Sequence, residues 1–392
     1  MKHPRDRDTP VTLKLPTELT GPGLKIRERT VVSVRNLLRS VVILSLSAVF
    51  TACGGYNSST SMPPPATAPR IALVANLFSN SISSYAVDSQ TGQLTPKNTV
   101  PTGGTNSRII AVTPSGRFAY VANIDSNDIS VFGIDANTGT LSMVGSPVSS
   151  GDGPRFLAIA PGGNRLYVVN QNADHVTGFS INPNTGALTP LTGSITTDHL
   201  PIALIFHPSG QFAYVVNALS DDITVYRVDS TGALGLVGAV PAPTNPSSIT
   251  ISPSGNNAYV TTLGSSSVIP FAIDAISGAL TPLPRVSSGV GPTSVTVDPR
   301  NRFAYVTNLN DNNISVYTID ATSGALAPAS LASAGTSPVA ITLDSAGHFA
   351  YVANFGSDNV SVFAVDSATG ALTPLGLPVA ADAGPGWVTL VN

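Results

Sequence analysis

The chain has 392 residues, enough for two ordinary domains or one large β architecture. Only 10% of the residues are charged, while 35 glycines and 32 prolines are spread along the chain as if punctuating many short strands. Residues 1–52 hold nine Lys/Arg against four Asp/Glu (net +5) and residues 53–392 hold ten against eighteen (net −8), so the larger part lacks the clustered cations that nucleic acid requires of a partner.

In chain order, Arg35 and Arg39 precede the apolar run Val41 to Phe50, which ends in small residues at Thr51-Ala52-Cys53. A basic segment followed by a run of this length is expected of an export signal and is too short to span a bilayer. Residues 1–52 are therefore read as a signal peptide, with a polar stretch before Val31 that is longer than such a signal needs. Phe50 to Gly55 resembles a bacterial lipoprotein processing site, with Phe50 in place of the usual aliphatic residue. The resemblance implies that Cys53 becomes the acylated first residue of an exported cell-envelope protein, periplasmic or surface-facing, whose membrane partner is reached through that lipid. With no second cysteine, an internal disulfide is impossible. Residues 53–69 comprise this Cys and a Gly/Ser then Pro-rich stretch without apolar periodicity, expected to act as a tether.

From residue 70 to 392 the chain repeats itself. Asn76, Asn123, Asn170, Asn217, Thr262, Asn308 and Asn354 occupy equivalent positions at spacings of 45 to 47, giving seven copies. Each copy runs in the same order: an extended segment ending near Pro-Ser-Gly, a run such as FAYVAN (Phe118 to Asn123), a polar turn, a run such as ISVFGID (Ile129 to Asp135), and a turn into GALTP. The two central runs are nearly continuously apolar, as strands covered on both faces should be. Four strands per copy at this period predict an all-β, seven-bladed propeller. The first copy lacks its opening strand, and Pro385 to Leu390 aligns with Pro292 to Val297. The carboxyl terminus is thus expected to complete the amino-terminal blade and close the ring, which protects strand edges. Trp387, in that closing strand, is read as core packing.

With FAYVAN and GALTP in hand, residues 70–392 resemble the YVTN-repeat propellers and the wider lactonase family, with 6-phosphogluconolactonase among its relatives; Tyr305-Val306-Thr307-Asn308 matches the repeat name letter for letter. The resemblance implies the fold and, as an expected activity, lactone hydrolysis. The family pattern also carries a His at the start of an inner strand, six residues before the Pro of the Pro-x-Gly turn. Here that slot holds Arg108, Arg155, Ile202, Ser247, Thr293, Val339 and Gly386, with no His in any copy.

The residues that break the repeat gather in one sector: Arg108, Asp152 with Arg155, and Asp198 with His199 lead into three consecutive blades, and Asp174 and His175 occupy a neighbouring turn. As a catalytic set, His199 would be a base held by an Asp, with Asp198 adjacent, and Arg155 or Arg108 would stabilise an oxyanion. As a ligand-binding set, all seven would form a polar pocket. His207 and His348 fall at the other end of the inner strands and are read as structural. The Asn/Asp turns, such as Asp125 to Asp128 and Asn310 to Asn313, could offer oxygens to Ca²⁺, but their recurrence favours Asx turns and positive-φ positions. No metal site or cofactor is expected. The leading expectation is a monomeric, lipid-anchored binding module for carbohydrate, a cell-wall fragment or protein; the alternatives are a lactone hydrolase and a structural surface protein.

Overall fold

The computed structural model describes residues 71–391; the expected signal peptide, the lipidation at Cys53 and the tether all lie outside the described residues. Seven antiparallel sheets are arranged as the blades of a ring, and no helix occurs among the described residues. The second blade illustrates the order from axis to rim: Ser107–Val112, Phe118–Asn123, Asp128–Ile134, then an outer strand in two pieces, Leu141–Met143 and Val148–Ser149. Pro385–Val391 pairs antiparallel with Ile71–Asn76, so the chain's last strand is the innermost strand of its first blade.

The FAYVAN runs are buried because neighbouring blades cover both faces; all six residues of Phe118–Asn123 are buried. In five of the seven blades a tyrosine of this run also stitches the blade to the next. The hydroxyls of Tyr120, Tyr167, Tyr214, Tyr259 and Tyr351 donate to the carbonyls of Gly186, Gly232, Gly278, Gly324 and Gly92 in the following blade. These glycines belong to the turn that opens GALTP. Gly278 sits at φ +74° with the Phe212 ring 2.4 Å from where a Cβ would stand, so it meets both a backbone and a space requirement.

The recurrent Asn pins the turn that follows it. Asn308 Nδ2 donates to Asn313 Oδ1 at 2.7 Å and to Ser315 Oγ at 2.9 Å, and Asn217 and Asn354 repeat the pattern. Four residues on, Asn80, Asn127, Asp174, Asp221, Asn312 and Asp358 all have positive φ. Each accepts, through Oδ1, a main-chain N–H from the loop entering the next blade. These short polar side chains tolerate the left-handed region and satisfy amides that would otherwise be orphaned. The Asx reading of the turns accounts for them.

Candidate functional site

The slot read from the sequence turns out to be a β-bulge. In every blade the pairing between the innermost strand and its neighbour skips the slot residue: Ser107 faces Asn123 and Ile109 faces Ala122, leaving Arg108 unpaired. The same skip falls at Arg155, Ile202, Ser247, Thr293, Val339 and Gly386. A bulge re-aims a side chain. Here all seven bulge residues line one central cavity of about 230 Å³.

The wall of that cavity is uneven. Arg108 and Arg155 bring two guanidiniums from adjacent blades. Phe156 and Trp387 meet edge to face beside them, with ring centroids 5.8 Å apart, and Phe355, Leu263 and Leu309 complete an apolar side. Ser247 and Thr293 present hydroxyls that are already used: each donates to the carbonyl of the next blade's proline, Pro292 at 2.7 Å and Pro338 at 3.2 Å. The lining contains no carboxylate and no imidazole.

Withdrawal from bulk water holds the Arg108 guanidinium below its usual pKa. The same desolvation, reinforced by the charge of Arg108, brings Arg155 down to about 9. Arg155 remains a cation at neutral pH, so two like charges coexist in a partly apolar wall. Arg155 Nη1 donates to Gln171 Oε1 at 3.0 Å, whereas Arg108 has no side-chain partner among the described residues. Neither closes an ion pair; among the described residues those are His199 with Asp174 and Arg302 with Asp298. Uncompensated charge of this kind costs stability and returns none to the scaffold.

The other residues singled out from the sequence do not line the cavity. They stand on the loops at the same end of the ring, around its mouth. His199 Nδ1 lies 2.9 Å from Asp174 Oδ2, and its side chain is 78% exposed. That hydrogen bond, then the charge of Asp174, raises the His199 pKa, and its counterpart lowers that of Asp174. Asp174 is the acid that holds His199; Asp198, adjacent in sequence, adds only its charge. Asp174 Oδ1 is meanwhile committed to Leu200 N, the clasp that six blades share, so the imidazole decorates a structural residue. His175 rests on the carbonyl of Ala173, and Asp152 accepts from Asn172 Nδ2 at 3.2 Å. His207, by contrast, is buried and hydrogen-bonded to Gly255 O and to Ser209 Oγ, as a structural residue should be.

Sequence reasoning missed Gln171, Phe156, Phe355 and Trp387. Two registers would have found them: the position after the slot, where Phe156 and Trp387 stand out for size, and the position after the recurrent Asn, where Gln171 is the polar exception among Leu77, Ile124, Ala218, Leu263, Leu309 and Phe355. Trp387 is cavity wall as well as packing.

Solved structures share the fold. A Bacteroides fragilis protein provisionally called a 6-phosphogluconolactonase superposes with a TM-score of 0.75 at 20% identity, covering 84% of this chain and 100% of its own. A periplasmic gluconolactonase of Pseudomonas aeruginosa gives 0.73 at 23%, covering 82% and 99%. Hydrazine synthase of Kuenenia stuttgartiensis gives 0.59 at 19%, covering 80% and 100%, so one fold hosts unrelated chemistries. No curated protein matches the sequence. A family model, "Lactonase, 7-bladed beta-propeller", matches residues 67–151, 110–202, 201–342 and 292–390; with the ring, the repeat and the bulge-lined cavity described, the chain belongs to that family.

Proposed function

We propose that this lactonase-family propeller is an exported binding module that takes a small carbohydrate acid or cell-wall fragment in its central cavity. The observation that carries the reading is the pair Arg108 and Arg155: two cations aimed by bulges into a cavity with aromatic walls, with no acidic partner. An aromatic face suits the apolar face of a sugar or peptide fragment, and guanidinium suits a carboxylate. Export and anchoring rest on the signal-like segment and on Cys53.

Lactone hydrolysis is the second reading, favoured by family membership and by guanidiniums able to stabilise a developing oxyanion. It lacks a general base on the cavity wall; the base would have to be His199, held by Asp174 on an exposed loop. Assay of purified chain with D-glucono-δ-lactone and larger lactones separates the two. The expected result is saturable binding that is lost in Arg155→Ala, with no turnover above the spontaneous rate. Turnover that disappears in His199→Ala would put hydrolysis first.

A further inference from the structure

The charge around the mouth is opposite to the charge within it. The loops that enter the inner strands and the turns after the FAYVAN-type strands carry Asp125, Asp152, Asp174, Asp198, Asp221 and Asp311, among others, and not one Lys or Arg. Most of these carboxylates are held by neutral donors, so no cation stands against them. Asp221 accepts from Asn245 N, Asp311 from Val290 N, Asp125 from Asn106 Nδ2 and Asp152 from Asn172 Nδ2; the one cationic partner available is His199 on Asp174. They are also crowded: burial first, and the charges of Asp198 and Asp221 among the further causes, push the Asp222 carboxyl up.

Rim and throat are joined through one turn. Arg155 points to Gln171 while Asp152, three residues earlier on the same loop, is held by Asn172. A ligand whose anionic group reached Arg155 and the unpartnered Arg108 would therefore leave its outer end among carboxylates.

Resting on the reading that the central cavity is the binding site, we infer that its ligand is a monocarboxylate whose far end bears an ammonium group, and that the acidic rim excludes ligands with a second anionic group such as a phosphate ester. The throat alone would welcome a dianion; the rim makes the choice. An anion entering at this end must pass the rim, and an anion extending outward must stay beside it. Neither charge region is screened from the other over distances shorter than the Debye length of about 8 Å at physiological salt. This selection disfavours the phosphorylated sugar acids that a lactonase-like fold suggests.

Three probes built on one six-carbon acid test it by calorimetric titration against the full chain: 6-amino-6-deoxy-D-gluconate, D-gluconate and 6-phospho-D-gluconate. The expected order of affinity is amino, then unsubstituted, then phospho, each step about tenfold at low salt and contracting as salt is added. In Asp152→Asn/Asp198→Asn, whose side chains are near-isosteric and exposed, the steps should shrink at least threefold while D-gluconate still binds. Phosphogluconate binding as tightly as the amino acid, or an order that the double variant leaves untouched, overturns the inference. If D-gluconate binds, Arg155→Ala abolishes binding and the tail charge makes no difference, the inference fails and the cavity reading survives. If none of the three binds, both fail.

Discussion

One bulge serves two purposes on two sides of the same cavity. In the fifth and sixth blades, the small hydroxyls of Ser247 and Thr293 turn back to the next blade's proline carbonyl and tie the inner strands together. In the second and third, Arg108 and Arg155 make no such tie and hold their charge in the throat. The repeat delivers seven residues to the axis, six of them with side chains, whatever their chemistry, and the scaffold uses only the hydroxyls small enough to fold back. A departure that the scaffold does not use is therefore the better guide to function.

The contrast can be broken most strongly at Arg155. Replacing Arg155 or Arg108 by Ala should weaken D-gluconate binding about 100-fold, near 3 kcal/mol for a lost charged contact, with the melting temperature unchanged or raised because one like charge is gone. Calorimetric titration beside a thermal melt reads both. Scaffold positions should behave in the opposite sense. Gly278→Ala meets the Phe212 ring as well as a positive φ and should lose about 2–3 kcal/mol, whereas Gly145→Ala, at φ +69° with nothing within 4 Å, should lose only about 1 kcal/mol. Urea denaturation decides whether close approach or backbone conformation dominates.

A subtler pair lies among the tyrosine clasps. Tyr214→Phe strands the carbonyl of Gly278 and should cost about 1–2 kcal/mol, while Tyr305→Phe removes a buried hydroxyl that has no partner and should be neutral or slightly stabilising. Equal losses would mean that Tyr305 finds a partner in solution. The smallest effect belongs to the mouth. His199 should titrate above the ordinary histidine range by NMR and return to it in Asp174→Asn, which retains the oxygen for the Leu200 clasp. Because its folded pKa is raised, whatever stability the imidazolium adds is fully present below its unfolded value. That stability disappears as pH rises through the folded value, and Asp174, whose pKa is lowered, loses its share as pH falls through its own folded value. His199 is well exposed and Asp174 more than a third exposed, so the pH dependence of unfolding should change little in Asp174→Asn.

Almost the whole fold was legible in the sequence because propeller blades cannot bury their faces alone, and that requirement writes itself as a repeat. The spacing of Asn76 through Asn354 gave the blade count, and the likeness of Pro385–Leu390 to Pro292–Val297 gave the closure seen in the pairing of the last strand with the first. The lining of the candidate site was legible in half. Arg108 and Arg155 stood out as departures, but so did Asp152, Asp198 and His199, and in one dimension a residue three positions from the bulge looks as central as the bulge itself. What separates them is the skipped register, which aims Arg155 at the axis and leaves Asp152 on the rim. Phe156 and Trp387 were hidden for another reason. Large apolar side chains in a strand fit core packing equally well, and only ring closure reveals that they also face a cavity.

The central claim is that ligand is held in the throat and not on the loops around it. A crystal structure of the protein with D-gluconate bound tests this most directly. The account predicts the carboxylate between the guanidiniums of Arg108 and Arg155, with the chain of the sugar acid against Trp387 and Phe156. Ligand seated instead on His199 and Asp174, with the throat unoccupied, would contradict it.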